Sequence, residues 1–434
     1  MSASTTSTTT TFSHQAAPQP RLWDVFCQVV DNYGDLGVCR RLALHLAAQG
    51  QRVRLWVDDT GLMQRMAPEI PMAQDPLGQD PVPSEGLAGI AAQKPVAGVQ
   101  WLPWQAGQDA PDGLEPGDVV IEAFGCELPA SFVHRMQLRA QQGKRGPSVW
   151  INLEYLSAQA YVERSHGLPS PQASGAGQGL NKWFFFPGFT PKTGGLLREA
   201  DLLQRQQAFD ARAWLQGWGL PSPSEPERRV SMFAYPQAPL EILMDRLARG
   251  VLEHRAGRQA GGQAGDHGNS PVRLMLTEGP LQARAQRWLQ DQTWARSVLR
   301  LSPLPWLSSA DYDHLLWACD LNFVRGEDSL VRALWAGRPF VWQLYPQDDG
   351  AHAAKLQAFW DAVPGADSRG LDSSVLPLWR AWNGLAPWPQ GTAFPWSATE
   401  AWGEASLRSR SRLMAQAPLA EALIRFVAER SGPG

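Results

Sequence analysis

The chain has 434 residues, room for two domains of ordinary size, and it is 44% hydrophobic against 19% charged, so it can bury a substantial core. A net charge of −3 argues against a nucleic-acid binder that works through a strongly basic face. Four scattered cysteines (Cys27, Cys39, Cys126, Cys319) lack any CxxC or Cys/His spacing and read as buried free thiols in a reducing compartment.

No run of about 18 apolar residues suggests a membrane span. Residues 1–20 are rich in Ser, Thr, Gln and Pro and read as a disordered tail rather than a secretory signal, which makes a cytoplasmic location the expectation.

From Leu22 the pattern becomes regular. LWDVFCQVV (22–30) reads as a strand, DNYGDLG as a loop, and VCRRLALHLAAQ (38–49) as an amphipathic helix stopped by Gly50. RVRLWVDD (52–59), VQWLPW (99–104), DVVIEAFG (118–125) and SVWINLEYL (148–156) read as further strands. This order predicts a parallel sheet with helices on its faces. HGLPSPQASGAGQG, ahead of KWFFFPGFTPKTGG, reads as a long mobile loop.

A polar, then Pro-rich stretch at 205–229 reads as a linker, and a second α/β series follows. It comprises VSMFAY (230–235), a helix over about 238–254, VRLMLTE (272–278) and VLRLSPL (298–304). Then come a helix at 309–319, LNFVRG (321–326), a helix at 328–337 and PFVWQLY (339–345). The low-complexity insert at 255–270 reads as a flexible excursion, and 399–430 reads as helix.

The domain map is therefore a tail at 1–20, a Rossmann-like domain at 21–205, a second at 206–398, and a helical tail at 399–434. Ligands of such sheets bind outside the carboxyl ends of the strands, so loops of both halves should build a site in the cleft between them. Twenty tryptophans read as core, and Trp379, Trp382, Trp388, Trp396 and Trp402 as packing between domains rather than a carbohydrate platform. His45 and His352 read as structural or solvent-exposed.

Two loops carry candidate chemistry. In Asp31-Asn32-Tyr33-Gly34-Asp35-Leu36-Gly37 the glycines permit close approach of a ligand. Asp31 and Asp35 flank a turn and can both face the cleft, or can serve only as turn and cap residues; the residues leave both readings open. Neither a GxGxxG fingerprint nor a Walker lysine is present.

In VRGEDSLVRALWAGRPFVWQLYPQ (324–347) a helix start presents free amides and a positive dipole end that suit a diphosphate. Ser329 can add a hydroxyl donor, Arg325 and Arg332 charge. Glu327 and Asp328 would repel phosphate and read as partners of sugar or ribose hydroxyls. Acids in a first turn are also ordinary dipole partners, but the glycine and two arginines are surplus to capping.

Together these loops resemble the protein-arginine rhamnosyltransferases that modify bacterial elongation factor P. The matching strings are WDVFCQVVDNYGDLGVCRRLA, INLEYLSAQAYVERSHGLPSP, FFFPGFTPKTGGLLRE and DLNFVRGEDSLVRALWAGRPFVWQLYPQ, spread from about residue 22 onward. The resemblance implies an α/β GT-B architecture, two Rossmann-like domains facing a cleft. It also implies inverting transfer of L-rhamnose from dTDP-β-L-rhamnose to an arginine of elongation factor P, which docks on the amino-terminal domain. No cofactor, metal, nucleic acid or membrane partner is expected.

By position, Asp31 and Asp35 match the family's catalytic pair, with Asp35 the base, and Glu327 matches its third essential carboxylate. Phe233, Tyr235, Tyr312, Arg325, Asp328 and Ser329 match nucleotide contacts, and Gly34 belongs to the donor-side loop. One position departs: three residues before Tyr312, where the family carries glutamine, this chain has Ser309, whose shorter side chain reaches a nucleotide only through water. The competing readings are a GT-B transferase or epimerase using another nucleotide sugar, and a non-catalytic nucleotide-sugar-binding regulatory protein.

Overall fold

The computed structural model describes residues 20–30, 33–68, 95–105, 108–109, 113–143, 146–220, 226–259, 270–346, 350–363, 370–371, 373–389, 391 and 394–431. The first half runs β1 (Leu22–Cys27), α1 (Tyr33–Ala48), β2 (Arg52–Val57), α2 (Thr60–Met66), β3 (Val99–Pro103), β4 (Val119–Ala123) and α3 (Ala130–Gln142). It continues with β5 (Val149–Leu153), α4 (Tyr161–Ser165), β6 (Pro169–Pro171) and β7 (Asn181–Phe185). These strands form one sheet in the order β3-β2-β1-β4-β5-β7-β6, parallel except for the antiparallel edge pair β6-β7.

Two short helices, α5 (Leu202–Ala208) and α6 (Ala211–Gly217), lead into the second half. There β8 (Arg228–Met232), α7 (Leu240–Gln259), β9 (Val272–Leu276), α8 (Pro280–Asp291), β10 (Leu299–Pro303) and α9 (Ser309–Ala318) precede β11 (Leu321–Arg325). The chain ends with α10 (Gly326–Ala336), β12 (Phe340–Gln343), α11 (Ala351–Ala362), α12 (Leu376–Trp382), α13 (Thr399–Met414) and α14 (Leu419–Arg430). This sheet is parallel throughout, in the order β10-β9-β8-β11-β12.

The strands are nearly continuous apolar runs because helices cover both faces of a parallel sheet. Alternation along β1 sends Trp23, Val25 and Cys27 into one core and Phe26 into the other. There Phe26 stacks on Trp56 of β2 at 5.1 Å and meets Phe132 of α3 at 5.0 Å.

One acid interrupts this apolar wall. Asp24 is fully buried, and its carboxylate accepts from Arg54 Nε and Nη2 at 2.6 Å each, Trp56 Nε1 at 2.8 Å and the Gly117 amide at 2.7 Å. A Cβ on Gly117 would lie 2.5 Å from the Leu22 carbonyl oxygen, so glycine is what lets the entry to β4 close on the strand.

Three expectations are corrected. Residues 33–37 are not loop: α1 starts at Tyr33, and Asp35 sits in its first turn, where a carboxylate favours the helix dipole. Residues 166–179 are not a long loop either. Gln172 N–H bonds Leu180 O and Gly179 N–H bonds Gln172 O, both at 2.9 Å, closing a β6-β7 hairpin whose prolines are tolerated on an edge strand.

The late tryptophans fill the core of the second half instead of a seam between halves. Trp379 lies 5.3 Å from Phe340, Trp382 lies 4.8 Å from Phe323, and Trp396 and Trp388 carry Arg228 and Arg246 on their faces at 4.2 and 5.0 Å.

Helix α14 folds back onto the first half, with Phe426 5.1 Å from Phe185 and the Leu419 amide bonded to Leu196 O at 2.9 Å. Helix α7 runs on through Gln259; the rest of the insert, 260–269, and the tail at 1–19 lie outside the described residues. All four cysteines are buried and unbridged. No helix among the described residues is long and apolar enough to cross a membrane.

Asp24→Ala strands the Arg54 guanidinium in the sheet, and breaking a buried pair from one side costs about 3–5 kcal/mol. Urea unfolding should show the loss, and a midpoint equal to that of the unaltered protein would contradict this account.

Candidate functional site

A cleft of about 420 Å³ opens between the two halves. Its second-half wall is made by the carboxyl ends of four strands: Phe233 and Ala234 after β8, Thr277 to Leu281 after β9, Trp306 to Ser309 after β10, and Arg325, Gly326, Asp328 and Ser329 at the end of β11 and the start of the next helix. This is where a parallel sheet offers loops and helix starts to a ligand. The opposite wall comes from Tyr33, Gly34 and Arg41 of α1 and from Arg65 and Met66 of α2.

Helices α1 and α10 meet first turn to first turn. Gly37 lets α1 approach until a Cβ there would touch the Asp328 carboxylate at 3.4 Å. The Asp35 charge also raises the pKa of Glu327. Two positive dipole ends therefore converge, each carrying acids in its opening turn. Helix α10 starts at Gly326 with φ of 67°, a conformation that favours glycine.

Behind this contact lies a buried ion lattice. Arg41 reaches Asp328 at 2.8 Å, Glu199 at 3.2 Å and Asp313 at 3.6 Å. Arg332 meets Asp313 through Nε at 2.7 Å and Glu199 through Nη1 at 2.7 Å. His45 adds a contact to Glu199 at 3.4 Å, consistent with its structural reading. Burial raises the Glu199 pKa, but the His45 hydrogen bond and the Arg332 and Arg41 charges outweigh it and hold the carboxyl well below the usual range.

Glu327 faces the other way. Its Oε1 accepts from Lys355 Nζ at 2.9 Å and its Oε2 from the Leu156 amide at 2.8 Å. Burial pushes its pKa up, Lys355 and the Leu156 amide pull it down, and Asp35 adds to the rise. The Asp35 carboxylate is buried and accepts from the Val30 amide at 2.9 Å, tying α1 to the loop after β1.

The Arg325 guanidinium lies over the rings of Phe233 at 4.7 Å and Tyr235 at 4.5 Å. Phe233 meets Tyr312 edge-on at 5.5 Å. Burial raises the Tyr312 phenol, partly offset by the Ser329 hydroxyl. Ser329 itself accepts from the Arg325 amide at 3.1 Å and donates back to the Arg325 carbonyl, which fixes the entry to α10. At the cleft mouth Arg65 bonds Glu278 at 3.0 Å and the Tyr33 hydroxyl at 3.3 Å, and it covers the Trp306 ring at 4.9 Å.

Of the residues singled out from sequence, Gly34, Phe233, Ser309, Tyr312, Arg325, Asp328 and Ser329 line this one cleft. Asp35 and Glu327 adjoin it, and Tyr235 is buried beneath Arg325 with its amide bonded to Gln343 Oε1 at 2.9 Å. Asp31 lies outside the described residues. Ser309, the departing position, accepts from Arg40 Nη1 at 3.3 Å. Arg332 faces the lattice and not the cleft, so its charge is spent on Asp313 and Glu199 instead of an anion.

Sequence reading passed over Arg41, Arg65, Glu199, Glu278, Trp306 and Lys355. Only Arg41 left a signal, as a charge on the apolar face of a helix.

The lattice makes a pH prediction. A carboxyl depressed in the folded state stabilises fully above its unfolded pKa of about 4.3, and that contribution is lost as pH falls toward the folded value. Glu199→Gln should therefore be less stable at neutral pH and lose stability less steeply than the unaltered protein below about pH 4. Parallel acid-unfolding curves for the two proteins would contradict this.

The comparisons agree with one another. A protein-family model described as elongation-factor P (EF-P) rhamnosyltransferase EarP matches residues 23–428. The protein-arginine rhamnosyltransferase of Pseudomonas putida is 41% identical over 419 residues, covering 93% of this chain and 98% of the relative. That of Pseudomonas aeruginosa is 39% identical over 423 residues, covering 94% and 99%.

A solved structure titled "Structural basis for EarP-mediated arginine glycosylation of translation elongation factor EF-P" is 29% identical, with a TM-score of 0.54 over 95% of this chain and 99% of that one. The two facing parallel sheets have the GT-B arrangement that the family resemblance implied. With the cleft built as described and these likenesses spanning nearly its whole length, the chain belongs to the EarP family of elongation-factor P rhamnosyltransferases.

Proposed function

We propose that this chain moves L-rhamnose from dTDP-β-L-rhamnose to an arginine side chain of elongation factor P, with inversion at the anomeric carbon. The observation that carries the reading is the close approach of two acid-bearing helix starts, α1 with Asp35 and α10 with Glu327 and Asp328, beside a cleft that holds Arg325 and Phe233. An acceptor that belongs to the translation machinery goes with a cytoplasmic site of action.

In this reading the diphosphate lies at the start of α10, where free amides and Arg325 compensate its charge as dTDP departs. Phe233 offers a ring face to thymine. Asp35 of α1, together with Asp31, grips the acceptor guanidinium.

A guanidinium has a pKa above about 12, whereas an ordinary Asp is near 4. Asp35 therefore cannot deprotonate the arginine beforehand, and the proton leaves as the C–N bond forms. Inversion follows from attack on the face opposite the leaving diphosphate. A passive nucleotide-sugar binder would have little use for carboxylates beside the sugar.

The test is intact-mass spectrometry of elongation factor P after incubation with this protein and dTDP-rhamnose, which should show the gain of one deoxyhexose. Asp35→Asn retains an oxygen to accept from the Val30 amide, so the loop holds while turnover drops by about 10²-fold or more and donor binding stays. Near-normal turnover would remove Asp35 from the base role. Phe233→Ala should weaken donor affinity by about 1–3 kcal/mol, the usual value of a base-stacking ring, and unchanged affinity by calorimetry would discard the stacking.

A further inference from the structure

Lys355 stands where Glu327 needs a counter-ion, and we propose that it is a positioning residue for the transfer, holding the Glu327 carboxylate in place at the start of α10. The inference rests on the function proposed above.

Glu327 is only 16% exposed at its side chain, and both of its oxygens are engaged, one by Lys355 Nζ at 2.9 Å and one by the Leu156 amide at 2.8 Å. Lys355 from α11 supplies the cation at Glu327 Oε1, while the Asp35 charge on α1 acts on Glu327 in the opposite sense and raises its pKa. The charged neighbours on α10 turn elsewhere, Asp328 to Arg41 and Arg332 to Asp313 and Glu199, and Arg325 at the end of β11 lies over the Phe233 and Tyr235 rings. An ammonium at 2.9 Å compensates the charge of a largely buried carboxylate, which favours its ionised form for a cationic acceptor.

The lysine is itself guided. Its ammonium lies 5.9 Å from the centre of the Tyr155 ring, within the range of a cation–π contact. Tyr155 stacks on Phe124 at 4.5 Å and 15°. Phe124 holds a left-handed backbone, φ 61°, and is followed by Gly125 at φ 72°. A bulky residue keeps such a conformation only where its surroundings hold it, and these conformations gather at functional sites. The chain of contacts from the turn after β4, through the aromatic pair and the lysine, ends on the Glu327 carboxylate.

The experiment is the pH dependence of kcat with saturating dTDP-rhamnose and elongation factor P, for the unaltered protein, Lys355→Met and Lys355→Arg. Removing the ammonium removes the charge that lowers the Glu327 pKa, so the acid protonates at higher pH. In Lys355→Met the acid limb of the profile should move up by about one pH unit or more. Its kcat at neutral pH should fall on the order of 10²-fold, with donor affinity by calorimetry unchanged. Lys355→Arg keeps the charge and should keep the limb.

Lys355→Gln, read in the same way, covers the case in which methionine disturbs folding. A limb that stays in place in the Met and Gln variants overturns the inference alone. An unaltered protein that transfers nothing to elongation factor P overturns the functional reading and this inference with it.

Discussion

Helices from the two halves are fastened start to start by charges buried behind them. Arg41 brings α1 to Asp328 and Asp313 of the second half, Arg332 carries the lattice on through Asp313, and Glu199 joins both arginines. Buried ions are costly to desolvate, and here the two arginines are compensated by acids from both halves, with Arg205 adding contacts to Glu199 at 3.6 Å and Asp313 at 3.8 Å. Its contribution is geometric: these contacts hold the starts of α1 and α10, which carry Asp35 and Glu327, against each other at the cleft's edge.

The cleft mouth is built on a different principle. Arg65 and Glu278 are about half exposed, 51% and 47% at their side chains, and an exposed pair of this kind is worth at most about 1 kcal/mol. The Tyr33–Trp306 contact at 4.7 Å beside it is likewise at the rim. The charges behind the cleft are thus buried and multiply paired, while its rim is closed by exposed contacts. That division suits a site in which the donor must enter and leave while the acids keep their geometry.

Much of this was legible in the residues. Strands of a parallel sheet are covered on both faces, so their apolar runs stood out, and both α/β series fell close to where the structure has them. The arginine and acids after β11 were legible because a glycine and surplus charges at a helix start exceed what capping requires. Residues 33–37 were misjudged because two glycines and an aspartate look like a loop until Leu36, Val38 and Cys39 find a core to bury against. The β6-β7 hairpin was missed since its prolines and glycines signal turns, and only an edge position beside β7 makes them compatible with a strand.

The order of elements, the two sheets and the loops at their carboxyl ends were determined by the sequence, because periodic burial and helix boundaries are local properties of the chain. The partner of each buried ion was decided only in three dimensions. Arg41, Glu199, Asp313 and Arg332 lie far apart in the chain, and nothing local says that a charge on a helix face will be met by one from the other half. The same holds for Lys355 and Glu327: their meeting depends on α10 and α11 packing beside the end of β5, and packing is a property of the folded chain.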